Sequence, residues 1–414
     1  MPKFTSLSKD QTKSAVPSCF QASASGEVEA ANDARQTESR AAPIAPERRE
    51  QLKALTGLRI FAAMMIVFYH SADSFGIDHK HIFSSLALVQ GVSLFFVLSG
   101  FILTYNYPTL ATSRDRLKFM LMRLARIWPV HFLTAVAATI LLTDHWLSHP
   151  YILLPNYLLL QAWIPIERFF FSLNSVSWSV SAELLFYCCF PFICPLVLCK
   201  PYRMVALFAL MAAAFVGLSR FFPETVGHLD DVTSFGVAYI NPLVRIFEFV
   251  VGIATCGAYL KHRNQLSRLK GPILHIAEFT IILIVLCFIG GLKHWFNPTV
   301  LDGIAPNLSR WVECSSGVFV YAMLVLFFSL EKGWLQNVLS RSLFVWLGEI
   351  SYSVYLVHWL WIKVFVRGDF AQLHLPRLAH FGLYVFLVLA SAALIHAFVE
   401  KPVRAYLGRK IHAL

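Results

Sequence analysis

The sequence predicts an all-α, polytopic integral membrane protein of about ten transmembrane helices with both termini cytoplasmic, and three observations carry that prediction. First, 57% of the 414 residues are hydrophobic and only 14% are charged, with a mean hydropathy of +0.60, too apolar for an ordinary soluble globule. Second, ten apolar stretches have spanning length: roughly 58–75, 84–105, 118–142, 176–199, 203–222, 240–260, 271–292, 311–330, 343–366 and 378–399. At about 1.5 Å per residue each crosses a hydrocarbon core of about 30 Å, some with tilt or local thinning. Third, the basic residues are divided unevenly between the connections. One side carries Arg114, Arg116, Lys118, Lys200, Arg203, Lys261, Arg263, Arg268, Lys270, Lys332, Arg341, Lys401, Arg404, Arg409 and Lys410. The other has only Lys80, Arg168, Arg220, Lys293, Arg367 and Arg377, beside the acidic Glu224, Asp230 and Asp231. The positive-inside rule places the richer side, and both termini, in the cytoplasm. The formal charge of +11 is thus a topology signal spread between apolar runs, with no basic stripe for nucleic acid.

The elements follow in order. Residues 1 to about 50 are rich in Ala, Ser, Glu and Arg with little to bury, and read as a disordered cytoplasmic tail. They lack the apolar core and cleavage site of a signal peptide. A membrane domain then runs over 51–405, and 406–414 is a short cytoplasmic C-terminus. No repeat of 20 to 50 residues is visible.

The first span, "LTGLRIFAAMMIVFYH", places Arg59 and His70 eleven residues apart, within about 20° of each other around a helix and about 16 Å apart along it. Ionisable groups in a span are costly and mark function by default. The pair forms a polar stripe, with Arg59 near the cytoplasmic surface and His70 expected near the membrane middle. Taken singly, Arg59 is also explained by snorkelling, and His70 by a hydrogen bond to a neighbouring helix. In the third span, Arg123 and Arg126 share a face just inside the inner surface. They suit either lipid phosphate or a bidentate clamp for a phosphorylated cytosolic donor. His131 further along either lines the same cavity or is packed. The stretch 151–163, broken by Pro155, is too short to span and lies in the interface or re-enters.

The fourth span, "NSVSWSVSAELLFYCCFP", runs inward from the outer side. It carries Glu183 two turns in, Tyr187 one turn on, and Ser177, Ser179 and Ser181 before it. Glu183 and His70 are expected to meet near mid-membrane, where a carboxylate would fix the imidazole tautomer. In the ninth span Ser351, Tyr355 and His358 share a face, and His358 either lines the outer half of the cavity or is structural. Trp146, Trp163, Trp295, Trp311 and Trp334 fall near span ends, where interfacial aromatics sit. The eight cysteines show no CxxC pair and no histidines at zinc spacing; all but Cys19 lie in or beside apolar runs, as buried inert thiols would. No metal ligand set is present in the sequence.

Taken together, these segments resemble the membrane acyltransferase 3 family over residues 53 to 405. The opening helix with Arg59 and His70, "GVSLFFVLSGFIL" (91–103), "RLAR" (123–126) followed by "IWP", "SVSWSVSAELLFY", "LGEISYSVYLVHW" and the closing "VEKPVR" (399–404) carry the resemblance through their order and spacing. Thr56, Ile60 and Ala182 depart from residues common in the family, leaving Glu183 as the one carboxylate of the fourth-span motif. The resemblance implies an acyl-CoA donor, acetyl-CoA being the expected form, bound on the cytoplasmic side with Arg123 and Arg126 on its phosphates. It implies His70 as catalytic histidine and transfer to a sugar hydroxyl. His70 then serves as general base or as transient acyl carrier. Arg59 would stabilise donor charge, Glu183 would orient His70 or bind sugar hydroxyls, and Tyr187, Ser179 and His358 are the substrate-binding candidates. The expected acceptor is a cell-surface or exported polysaccharide or glycolipid, with a small metabolite also open, in a bacterial inner membrane. The chain would act alone or with separate polysaccharide-assembly proteins. The rival from another class is a glycolipid or metabolite transporter or flippase, although the second half does not repeat the Arg59–His70 pattern. A hydrolase lacks its GxSxG elbow and its HExxH metal site.

Overall fold

The structure, a computed structural model, describes residues 50–78, 82–141, 149–224, 228–266, 268, 271–304, 308–368, 370 and 375–413. The expected tail over 1–49, together with Lys80, Trp146 and Lys270, lies outside the described residues. Ten helices among the described residues are long and apolar enough to cross a membrane: α1 Lys53–Ser71, α2 Leu88–Asn106, α3 Ser113–Leu141, α4 Ser175–Cys199, α5 Pro201–Phe221, α6 Gly236–Leu266, α7 Gly271–Trp295, α8 Leu308–Phe328, α9 Ser342–Val366 and α10 Arg377–Ile411. Among those residues there is no sheet, only an isolated antiparallel bridge between Ile166 and Val232. The chain is a multi-pass, all-α membrane protein.

Two boundaries differ from the apolar windows in ways that move the site. α1 begins five residues earlier, where Glu331 accepts a hydrogen bond from the Ala54 amide at 2.9 Å and so caps the new helix end. It also stops earlier, at Ser71, before a turn in which Gly76 takes φ +57°, a conformation glycine adopts without steric cost. His70 therefore sits in the last turn of α1, at the end opposite Lys53, and not in its middle. α10 passes through a π-helical turn at His396–Glu400 and continues past the "VEKPVR" stretch. A hydropathy window cannot follow a helix into so polar a sequence.

α2 and α6 are the most buried spans, and α1 and α9 also lie inside. Transmembrane helices pack where small residues let backbones approach. A Cβ at Gly100 of α2 would lie 2.1 Å from the Phe249 carbonyl oxygen of α6, and one at Gly348 of α9 would lie 1.8 Å from that of Thr56 in α1. α1 and α9 run parallel, since they touch at Gly57 and Gly348 and again at His70 and His358. α5, α7 and α10 are peripheral and expose apolar side chains such as Leu210, Ile276 and Leu378. Cys188 and Cys287 are exposed as well, unlike buried Cys194 and Cys314.

The 151–163 stretch is broken into short turns, none of which spans. Its irregular backbone is satisfied by neighbouring spans, as membrane depth requires. The Ser181 hydroxyl donates to the Leu159 carbonyl at 2.6 Å and Gln161 donates to the Ser177 hydroxyl at 3.0 Å. His131 belongs to this scaffold: it is fully buried and Nε2 donates to the Asn156 carbonyl at 2.8 Å.

Candidate active site

Two groups of polar side chains occupy the two ends of α1. At the far end, Nδ1 of His70 lies 3.1 Å from Nε2 of His358. His358 is fully buried, and its Nδ1 lies 2.6 Å from the Tyr355 carbonyl oxygen. A carbonyl only accepts, so Nδ1 of His358 carries the proton and, in the neutral ring, Nε2 is an acceptor. His70 must then donate through Nδ1–H, which leaves the lone pair of its own Nε2 for chemistry. Trp359 and Tyr69 flank the His70 ring, with centroids 5.3 and 5.0 Å away. Asn174 at the approach to α4 donates to the Leu356 carbonyl at 2.8 Å, fastening the backbone of α9 beside His358.

Glu183 does not meet His70. Its carboxylate accepts from the Ser99 hydroxyl at 2.9 Å and the Tyr187 hydroxyl at 2.5 Å. It belongs to the group at the near end of α1, where the electrostatic neighbours of Arg59 are Arg126, Glu400, Glu183 and Tyr187. Arg126 shares Glu183, Glu400 and Tyr187 with it. Arg404 joins Arg123 and Arg126 from α10. Arg123 donates to the Tyr107 hydroxyl at 3.2 Å and lies over the Tyr107 and Phe119 rings. Among the described residues none of these four guanidiniums comes within 4.0 Å of a carboxylate, and the Arg123 Nε is buried with no hydrogen-bond partner. Four guanidiniums gathered in one place, three half-buried and Arg404 exposed, repel one another and suit a polyanionic ligand, which they grip bidentately.

The predicted residues thus divide by level. His70 and His358 come together, as do Arg59, Arg126, Glu183 and Tyr187, and about 16 Å of α1 separates Arg59 from His70. Ser179 takes a fastening role: its hydroxyl lies 2.8 Å from the Tyr355 hydroxyl and donates to the Val176 carbonyl at 3.1 Å. Tyr187 holds Glu183. Sequence reasoning missed Arg404 and Glu400, although both stand in the "VEKPVR" stretch. Glu400 accepts from Ser353 of α9 at 3.2 Å and faces His396 Nδ1 at 3.0 Å. Arg245 and Glu248 of α6 were missed too. They form a 3.2 Å ion pair, each 1% exposed, with Arg245 against the rings of Tyr239, Phe96 and Trp178.

Comparison with known proteins identifies the family of this bundle. The family model for this acyltransferase domain matches residues 52–397. The chain is 28% identical to the acyltransferase MdmB of Streptomyces mycarofaciens over 88% of its length and 95% of that protein. It is 24% identical to YrhL of Bacillus subtilis, provisionally named a peptidoglycan O-acetyltransferase, over 86% of its length. It spans only 56% of YrhL, and 58% of a Staphylococcus aureus protein provisionally named an O-acetyltransferase, to which it is also 24% identical. No solved structure matches. With the match covering nearly all of the ten-helix bundle, the chain belongs to the membrane acyltransferase 3 family and is an enzyme that transfers acyl groups.

Proposed function

We propose that this enzyme transfers an acetyl group from cytoplasmic acetyl-CoA to a sugar hydroxyl of a cell-surface or exported polysaccharide or glycolipid, in the inner membrane of a bacterium. The observation that carries the reading is the His70–His358 pair placed about 16 Å along α1 from a cluster of four guanidiniums, Arg59 and Arg126 sharing Glu183 and Glu400 as electrostatic neighbours and Arg404 beside Arg123 and Arg126. Arg59, Arg123, Arg126 and Arg404 would hold the phosphates of the donor at the basic, cytoplasmic end. The donor's extended arm would follow α1 and present the thioester to His70.

In the direct route Nε2 of His70 takes the proton of the acceptor hydroxyl as its oxygen attacks the thioester carbonyl. The C–S bond breaks and the departing thiolate recovers the proton from the imidazolium. His358 accepts the Nδ1–H bond throughout and so favours the transient positive charge. In the covalent route Nε2 attacks the thioester first, the C–S bond breaks to release CoA thiolate, and the resulting acyl-imidazolium passes its acyl group to the acceptor hydroxyl, the N–acyl bond breaking and the hydroxyl proton going to the thiolate. The exclusion of water from the bundle limits thioester hydrolysis in either case.

The test is acetyl-CoA turnover by purified protein in lipid with a mixture of candidate glycans, wild type beside His70→Ala, and donor binding measured separately. The expected result is a loss of transfer of about a hundredfold or more with donor binding retained. Transfer unchanged by the substitution removes His70 from the mechanism, and absence of donor binding in both proteins overturns the donor assignment.

A further inference from the structure

A second set of side chains lies around Tyr69, the neighbour of His70, and takes no part in the chemistry described so far. α8 is interrupted: one helix covers Leu308–Ser315 and the next begins at Val318. The backbone groups at this break are taken up by α2. Gln90 donates to the Glu313 carbonyl at 2.6 Å, Ser93 to the Cys314 carbonyl at 2.6 Å, and the Gly317 amide to the Gln90 side chain at 3.2 Å. Gln90 and Ser93 are fully buried, so the opening turns of α8 are rigidly placed.

Those turns carry Arg310, whose side chain is 45% exposed and pairs with Glu313 at 3.3 Å. Glu313 also pairs with Lys293 at 3.0 Å. Arg310 lies over the Phe235 ring, 5.6 Å from its centroid, and interacts with the Tyr69 hydroxyl. Tyr69 is in turn edge-on to His70. Phe235 packs on Tyr239, the ring against which buried Arg245 stacks, so the aromatic wall is held from behind.

Beside Tyr69, the neighbour of the proposed base, the fold therefore sets the Arg310 guanidinium and the Glu313 carboxylate, with the partly exposed Phe235 ring under the guanidinium. A planar guanidinium beside a carboxylate offers forked donors and acceptors that match neighbouring hydroxyls. Ring faces offer an apolar surface for the C–H face of a sugar. Few, well-placed polar groups against an aromatic wall are the general pattern of small-ligand sites. We propose that Arg310, Glu313, Tyr69 and Phe235 form the acceptor subsite, which takes a neutral pyranose ring and brings one of its hydroxyls to His70. This rests on the acyl-transfer reading above.

The test uses full-length protein in nanodiscs, radiolabelled acetyl-CoA as donor, and methyl β-D-glucopyranoside, methyl β-D-galactopyranoside and methyl N-acetyl-β-D-glucosaminide as acceptor probes. The expected result is transfer to at least one probe. Arg310→Ala raises KM for that probe about tenfold or more and leaves the donor KM unchanged. Arg310→Lys restores little, because a point charge lacks the fork. Donor binding in each variant reports an intact bundle, and Glu313→Gln and Phe235→Leu carry the same expectation if Arg310→Ala fails to fold. Wild-type protein that binds acetyl-CoA and acylates none of the three probes overturns the subsite while leaving the acyl-transfer reading standing. So do variants that leave the acceptor KM unchanged or raise both KM values together. Wild-type protein that does not bind acetyl-CoA overturns the parent reading, and the subsite with it.

Discussion

At the residue scale the informative contact is between two imidazoles. His358 directs its own Nδ1 proton to the Tyr355 carbonyl, which makes it an acceptor for His70 and fixes the His70 tautomer. His358→Ala removes that acceptor, and the His70 ring is then free to turn or to carry its proton on the wrong nitrogen. The expected outcome is a fall in kcat of about ten- to a hundredfold with donor KM unchanged. His358→Gln keeps an acceptor oxygen on a longer side chain and is expected to recover part of the loss, which a merely structural histidine would not require. Steady-state kinetics on the two variants checks both statements. Much of this site is legible in the sequence, because Arg59, His70, Arg126 and Glu183 are ionisable groups in apolar runs and the helical period says which of them share a face. The pairing is not legible. His70 and His358 are separated by 288 residues, and nothing local to either says that α1 and α9 lie side by side. The apolar window over 58–75 puts His70 too near the membrane middle, and so points to a Glu183 partner that the structure does not supply. Arg245 and Glu248 carry the same signal as Arg59, three residues apart in an apolar run, yet no expected motif contains them.

At the element scale, the approach of α1 to α9 sets the histidine contact. A Cβ on Gly348 would fall 1.8 Å from the Thr56 carbonyl oxygen and 3.2 Å from the Gly57 Cα, and backbone cannot give way as a flexible side chain does. Gly348→Val is therefore expected to push the helices apart, costing about 1–3 kcal/mol of stability as overpacking does, and to lower kcat by spreading the imidazoles. A Cβ on Gly217 in peripheral α5 would meet nothing within 4 Å, so Gly217→Ala is the matched control. It is expected to stabilise by up to about 1 kcal/mol through the helix preference of alanine. Thermal unfolding in detergent, read beside acyl transfer, checks the pair. Outside the spans, the segments before α4 and α6 are clasped together. The Arg168 amide donates to the Leu229 carbonyl at 3.1 Å, the Thr233 amide to the Pro165 carbonyl at 2.9 Å, and the Arg168 guanidinium grips Asp230 with Nη2 at 2.7 Å from Oδ2. The hydrogen bond from Arg168 holds the Asp230 carboxyl below its ordinary range. A depressed carboxyl contributes stability above its unfolded value, about 3.9, and loses that contribution as pH falls through the lower folded value. Protease nicking over 228–234 is accordingly expected to rise only at pH below about 4, whereas Asp230→Asn shows the increase at neutral pH. Nicking that is equal in the two proteins at neutral pH would remove the clasp.

At the scale of the whole molecule the two polar groups are kept apart by the bundle itself. The ten spans among the described residues bring the start of α1 and the end of α10 to the same face, which is why Arg404 can join Arg123 and Arg126. The histidine pair stands towards the opposite face, His70 being in the last turn of α1. The even number of spans is readable from hydropathy, and the proposed reading takes the guanidinium face as the cytoplasmic one, as the positive-inside rule expects of the basic connections. A highly charged donor cannot enter from lipid, since each charge carried into hydrocarbon costs several kcal/mol. In the proposed reading the donor comes from the water on the guanidinium side and reaches His70 through its uncharged arm. That reading leaves the acceptor the other face, and the vectorial enzyme it implies is testable in sealed vesicles. Inside-out vesicles given external acetyl-CoA are expected to transfer label to acceptor enclosed within them. Right-side-out vesicles given the same donor are expected to stay inactive until made permeable. Raising ionic strength should increase the donor KM in the active orientation, because phosphate–guanidinium attraction at a water-accessible site is screened over about 10 Å at 0.1 M salt, and should leave the KM of a neutral acceptor unchanged. Equal transfer by sealed vesicles of both orientations would mean that donor and acceptor share one face, and the assignment of the guanidiniums to the donor would fall with it.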